Sequence, residues 1–345
     1  MEVAASPGLD AFYQRIDTRN MRALWTVLSD LITPEPRSGC VPAIWRFDEI
    51  RTFMLEAGAL ISAKEAERRV LVLENPGLRG ESKITTSLYG GVQLVMPGEV
   101  APAHRHSQSA LRFVLEGNGA HTVVNGERTT MSPGDFVITP SQAWHDHGNT
   151  SDRPMFWLDG LDIPIVKFFD ASFAESHPDD EQPILRPEGY SHARYGSNLL
   201  PFGHEAAGPT SPVFNYPYEE ARAALERMRS AAPWDPCHGL KLRYSNPVTG
   251  DHAMPTIGTF IQLLPAGFTT ARYRATDATV YVPIEGHGRS QVAGQWLDWA
   301  PKDIFVVPSW APVIHEPASD AVLFSYSDRP VQEKLGLFRE DRGNL

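Results

Sequence analysis

Two stretches of this 345-residue chain read as copies of one another. FVLEGNG at 113–119 lies over VPIEGHG at 282–288, and VNGERTTMSPGDFVITPS at 124–141 over VAGQWLDWAPKDIFVVPS at 292–309, with an offset of 168 or 169 residues. An offset of that size marks a duplicated domain, because each copy is long enough to bury a core of its own. Around both copies, short apolar runs alternate with turn residues. They are SLYGGVQLVM, LRFVLEG, AHTVVNG, GDFVITP and PMFWLDG in the first, and TFIQLLP, ATVYVPIEG, SQVAG, DIFVVP and AVLFSYS in the second. Strands at that spacing build an antiparallel sandwich or barrel.

The expected architecture is therefore all-β, two small barrels of the double-stranded β-helix type behind a helical N-terminal region. The boundaries expected are 1–80 for the helical region, 81–165 for the first barrel, 166–255 for a connector, 256–330 for the second barrel and 331–345 for a tail. Phe12, Ile16, Leu24, Leu28 and Leu31 recur near multiples of a helical turn and predict a helix that stops before Pro34. Ser62 and Glu65 form an S-x-x-E box that predicts a second helix through KEAERR, and Glu219–Ser230 reads as a third, after Pro217. A net charge of −11 argues against nucleic acid and anionic membrane as partners. Two cysteines, Cys40 and Cys237, fit a reduced compartment, and neither a signal peptide nor a membrane-spanning stretch is read, so the expected location is cytoplasmic.

The first copy carries the chemistry. His104 and His106 are separated by one residue, so on a strand both imidazoles share a face. His145 and His147 alternate in the same way some forty residues later. Three neutral imidazole nitrogens leave several positions of an octahedral ion open, so that a substrate and a second small molecule can bind side by side.

These segments resemble the two cupin signatures. In the first, Gly98, His104, His106 and Gly117 fit, with Ala110 in the slot of the usual glutamate. In the second, Gly134, Pro140, His145 and Asn149 fit, with Gln142 in place of the glycine. The ligand set is then His104, His106 and His145, with His147 beside it. The second copy has Tyr273 and Ala275 in the histidine slots, Thr279 in the glutamate slot and Val313 for the last ligand, keeping only His315, aligned with His147. One metal per chain is expected, with a structural or interface role for the second barrel; Tyr273 and Arg274 lining an unrelated pocket is the other reading.

More narrowly, the run from APAHRHSQSALRFVLEG to SQAWHDHGN is similar to the gentisate 1,2-dioxygenase family, which includes salicylate and 1-hydroxy-2-naphthoate dioxygenases. ERRVLVLENPGL, SLYGGVQLVMPGE, FWLDGLDIP and DIFVVPSWAPV carry the resemblance through most of the chain. It implies a homotetrameric bicupin with one non-haem Fe(II) in the N-terminal barrel, cleaving an aromatic hydroxy acid with dioxygen. For gentisate the product is maleylpyruvate, in aromatic-compound degradation. The same site suits salicylate or 1-hydroxy-2-naphthoate, and a binding bicupin without catalysis is the reading from a different class. Three-histidine sites also accept manganese, nickel or zinc, so iron rests on the resemblance.

Around that centre, Arg112 follows His106 by six residues in the same alternation phase, so its fork can face the cavity and pair a carboxylate; the alternative is a surface arginine. By resemblance, Arg68 reaches toward the anionic substrate, with Arg69 the alternative, and Gln93 faces the ring hydroxyls in strand phase with Gly91 and Tyr89. A buried amide bonded to backbone is the other reading of Gln93. Asp159 either orients a metal-binding histidine, contacts the distal hydroxyl of gentisate, or is a plain turn residue before Gly160. Trp144 is read as packing on the substrate ring or as simple core. His147 is expected to exchange a proton with a substrate oxygen, a role that a near-neutral pKa suits.

Overall fold

The structure, a computed structural model, describes residues 7–197, 199–204, 208–231 and 233–343. The chain divides into two compact units, Met1–Arg37 and Ser38–Leu345. The expected N-terminal region 1–80 is thus parted at residue 37, and everything after it belongs to one body with both barrels. Within the first unit the single helix expected up to Pro34 is broken into a helix Pro7–Asp17, a 3-10 turn Leu24–Thr26 and a short helix Leu28–Leu31. The break falls where Asn20 takes a left-handed φ of 55°, which a continuing helix does not allow.

In the second unit the duplication shows as two six-stranded sheets with the same order. One runs Asn215–Tyr216, Phe136–Thr139, Ala110–Glu116, Met155–Leu161, Tyr89–Val95, Val70–Val72. The other runs Ala43–Trp45, Ile304–Val307, Thr279–Glu285, Ala321–Ser327, Gly258–Leu264, Leu240–Arg243. The outermost strand of each sheet comes from the segment that leads into the other barrel. Ala43–Trp45, from the N-terminal region, pairs with Ile304–Val307 of the second barrel, and Asn215–Tyr216, from the connector, pairs with Phe136–Thr139 of the first. The two halves therefore exchange arms, and neither 1–80 nor 166–255 is a self-contained piece.

Each arm continues into a 14-residue helix, Phe47–Leu60 or Tyr218–Ala231. One aspartate in each barrel starts that helix. Asp303 Oδ1 accepts from Phe47 N at 3.0 Å while Oδ2 accepts from Ala300 N at 3.1 Å; Asp135 Oδ1 accepts from Tyr218 N at 2.9 Å while Oδ2 accepts from Ser132 N at 3.0 Å. Both carboxylates satisfy N–H groups that a helix start leaves unpaired. The helix Phe47–Leu60 was not read from the sequence. The helix expected after Ser62 is a single turn instead: the box forms, with Ser62 Oγ donating to Glu65 at 2.7 Å, but Glu67 turns left-handed at φ 53° and the strand Val70–Val72 follows.

Period-2 alternation explains how the barrels join. Leu111, Phe113, Val280, Val282, Ile304 and Val306 all enter one core shared by the two sheets. Phe113 stacks on Phe324 of the other barrel with centroids 4.1 Å apart. The opposite phase, including Tyr281, Phe305 and Val307, fills the interior of the second barrel, and Val114, Val137, Met155 and Trp157 that of the first. Burial of one such phenylalanine is worth about 2–3 kcal/mol. Both barrels also close alike: Asp162 accepts from Ser109 N at 2.9 Å and Asp328 from Ala278 N at 3.0 Å, each at the start of a short helix with proline two residues on.

Gln142, in the signature's glycine slot, keeps the left-handed backbone at φ 64°, and Trp310 does so in the second copy at 61°. The glycine was lost and its conformation was not.

Candidate metal centre

A second sheet of the first barrel, in the order Ala174–Ser176, Val100–His106, His145–Asn149, Ala120–Val124, Glu127–Thr130, carries the histidines. His104 and His145 are cross-strand partners, and alternation adds His106 on the same face. Ring centroids lie 4.0 Å apart for His104 and His145, 4.8 Å for His106 and His145, and 5.2 Å for His104 and His106. One nitrogen from each ring falls within 4.8 Å of the others, a spacing at which three imidazoles can hold one ion.

The tautomers suit that role. His106 Nδ1–H donates to Gln108 O and His145 Nδ1–H to Ala143 O, both at 2.9 Å, which leaves the Nε2 lone pair of each ring free. Burial, with Arg68 nearby, pushes His104 down to about 3, and burial pushes His106 down to about 4 and His145 well below its ordinary range. The rings are neutral at any ordinary pH, as a ligand must be. The donor set fits a divalent transition metal.

Two cations face these neutral rings. Arg112 is buried, with Nη1 donating to Thr139 Oγ1 at 2.5 Å, Nη2 against His147 Nε2 at 2.9 Å, and Nε without a partner 3.7 Å from Asp159. It is not a surface arginine. Arg68 donates to Pro102 O at 2.7 Å and lies against both nitrogens of His104. Arg69 instead makes a two-pronged pair with Glu99, 2.8 and 2.5 Å, so the two adjacent arginines divide between site and scaffold.

Asp159 is mid-strand and buried, cross-strand from both Arg112 and Gly91, so it is not a turn residue. It accepts from Trp157 Nε1 at 3.0 Å and bonds to no histidine among the described residues, which does not fit the expected role of orienting a ligand. Burial pushes its carboxyl up to about 6 against the pull of Arg112. Gln93 is buried with no hydrogen bond from its amide among the described residues, so the backbone-bonded reading does not hold.

Tyr89 sits on the same face, its hydroxyl raised by burial and by Asp159. Gly90 and Gly91 beside it lie where the neighbouring side chains leave no room for a Cβ. A Cβ on Gly91 would meet Val70 Cγ1 at 2.6 Å and the Tyr89 hydroxyl at 2.8 Å, and one on Gly90 would meet Ile84 at 2.7 Å.

Two expectations need correction. Trp144 precedes His145, so alternation sends it to the opposite face, where it packs under Arg105 at 4.8 Å and edge-on to His177 at 4.9 Å, away from any ring bound at the histidines. His147 is fully buried and held neutral by that burial and by Arg112, so it lacks the near-neutral titration expected of it. Thr139 and Trp157 were missed; both lie in strand phase with residues already named, Trp157 two before Asp159.

Comparison with known proteins closes on this site. A cupin domain model matches residues 91–161, a span that includes the three histidines, Arg112 and Asp159. A gentisate 1,2-dioxygenase of Aquipseudomonas alcaligenes is 60% identical over 331 residues, 96% of this chain and 95% of that protein. The chain belongs to the gentisate 1,2-dioxygenase family. Within that family, a 1-hydroxy-2-naphthoate 1,2-dioxygenase of Nocardioides sp. (strain KP7) is 33% identical, with 99% and 89% of the two chains covered. The crystal structure of salicylate 1,2-dioxygenase from Pseudoaminobacter salicylatoxidans with gentisate superposes at a TM-score of 0.95 and 35% identity, covering 100% of this chain and 96% of that one. The family resemblance read from the sequence holds, as do the bicupin fold and the class of enzyme, a ring-cleaving oxidoreductase.

Proposed function

We propose that this chain cleaves gentisate with dioxygen to maleylpyruvate, using one Fe(II) held by His104, His106 and His145. The observation that carries the reading is the group of three neutral, convergent imidazoles with two arginines beside it. When bound, the ion supplies adjacent positions for a chelating hydroxy acid and for dioxygen. Arg112, with its Nε donor unspent, binds the substrate carboxylate. With an ion held there, Arg68 would part from His104, because like charges repel, and would turn to the substrate anion. His147 acts through Arg112, holding the guanidinium in place from Nε2. The free amide of Gln93 and the Asp159 carboxyl meet the ring hydroxyls, while Tyr89 and Val70 fill the wall at Gly91, which favours a single ring over a naphthalene.

No helix of the described residues is long and apolar enough to cross a membrane, and both cysteines are free and buried. The free cysteines support a reduced, cytoplasmic location, and the family resemblance a homotetramer.

The test is anaerobic loading with Fe(II), then oxygen uptake with gentisate, salicylate and 1-hydroxy-2-naphthoate in parallel. Uptake fastest on gentisate, with a ring-opened product and none in His104→Ala, is expected. Iron-loaded protein inert toward gentisate overturns the proposal.

A further inference from the structure

The second barrel has no metal-ligand histidines, yet its interior is not an ordinary apolar core. At matching offsets, Gln262 stands where the first barrel has Gln93, His315 where it has His147, and Tyr281 where it has Arg112. The cation has moved to another strand. Lys241 is the cross-strand partner of Gln262, the place that Val70 takes opposite Gln93.

Lys241 has no ion pair and no hydrogen bond from Nζ among the described residues; it lies 4.9 Å from the ring centre of Phe260 and 5.8 Å from that of Tyr281. The carboxylates that act on it electrostatically are already engaged, Asp277 with Arg329 at 3.7 Å and Asp235 with Arg342 at 2.6 Å. Burial pushes its ammonium down to about 8, so at neutral pH it is still charged. Even part-buried, an ammonium without a close counter-charge is costly, and cation–π contact offsets only part of that.

The neighbouring groups are donors as well. Tyr281 is 4% exposed, its ring is 5.2 Å from that of His315, and its hydroxyl has no partner among the described residues. Ser290 Oγ accepts from Trp299 Nε1 at 2.9 Å and has no acceptor other than His315 Nδ1, at 2.8 Å. The serine proton therefore goes to Nδ1, and His315 carries its own proton on Nε2, which is also unpartnered. An ammonium, a phenol and an imidazole N–H thus line one barrel interior with no hydrogen bond from any of them among the described residues; the buried Oε1 of Gln262, cross-strand from Lys241, is likewise unpaired. Lys241, His238 and Tyr273 stay part-exposed, the last two with ring centroids 4.5 Å apart, so solvent reaches the barrel on this side.

We propose that the C-terminal barrel is a metal-free binding site for a small carboxylate anion, seated on Lys241 Nζ, the Tyr281 hydroxyl and His315 Nε2. The site does not depend on the substrate assigned to the first barrel. The probe is acetate, and the readout is the melting temperature of the iron-loaded protein in sodium acetate against sodium chloride at equal ionic strength. Wild type and Arg112→Leu should both gain on the order of 2–4 °C once acetate exceeds its Kd about tenfold. Lys241→Met should show no acetate response while melting no lower than wild type in chloride. Absence of a response in wild type, a full response in Lys241→Met, or loss of the response in Arg112→Leu alone overturns the proposal. Should Lys241→Met fail to fold, Tyr281→Phe decides instead: a weakened acetate response supports the site, and an unchanged one overturns it.

Discussion

In the first barrel His104 and His145 face each other across one ladder; at the corresponding place in the second, Tyr273 faces Val313. The backbones agree in the order of the six-stranded sheet, in the left-handed residue at 142 and 310 and in the closing aspartates at 162 and 328, while the histidine-bearing sheet has five strands and its counterpart three. What decides the chemistry is a handful of side chains. Val313 joins an apolar cluster, and the Tyr273 hydroxyl bonds to Glu340 at 2.9 Å, whereas the three imidazoles of the first barrel stay uncommitted on their Nε2 side or touch only Arg68. The scaffold thus supplies positions, and the chemistry is set by whether those positions hold lone pairs or methyl groups.

The sharpest way to break the contrast is to copy one barrel into the other. His145→Val gives the first barrel the residue of the second; oxygen uptake on gentisate should fall to the rate without enzyme, while the melting temperature stays close to that of wild type. Next in size is Arg112→Leu, which removes the cation that the second barrel lacks at Tyr281. Loss of hydrogen bonds to a charged substrate is expected to cost about 3 kcal/mol, on the order of 100-fold in kcat/KM, measured by steady-state oxygen uptake.

The features common to both barrels should respond alike. Asp135→Ala and Asp303→Ala each uncap an exchanged arm helix and leave a turn N–H unpaired, and each should lower unfolding free energy by about 2–3 kcal/mol in urea titrations. A loss in one variant and none in the other would show that the arms are not equivalent.

The smallest effect is in pH. Burial pushes Asp162 up to about 6, above its value in the unfolded chain, so the stability it contributes is full at low pH and is lost as pH rises through about 6. Asp162→Asn cannot ionise. Relative to wild type it should gain roughly 1–3 kcal/mol between pH 4 and pH 7.5, and a gap that stays flat would argue against the raised carboxyl.

Much of this contrast is legible in the sequence. The repeated words at 113–119 and 282–288 imply two barrels, and the alternation of His104 with His106 puts both rings on one face. Alternation also had the answer for Trp144, which, as the residue next to His145, had to face away. The arm exchange was not legible. Ala43–Trp45 is three residues long and pairs with a strand some 260 positions away, and no local pattern encodes such a contact. The helix Phe47–Leu60 does carry apolar residues at helical spacing, Phe47, Ile50 and Met54, but its start lacks a capping side chain of its own because Asp303 supplies one. The capping box at Ser62 and Glu65 formed as read and still made no helix, since Val70–Val72 is drawn into the sheet beside Tyr89–Val95. The protonation of His147 depends on burial and on Arg112, which a strand pattern does not reveal.

The most direct test of the account is the amount of iron per chain after anaerobic loading and removal of excess, determined by mass spectrometry of the metal on wild type and His145→Val. The account predicts one iron per wild-type chain and close to none in the variant. Two per chain, or a variant that keeps its full complement, would place a metal outside the three histidines and contradict it.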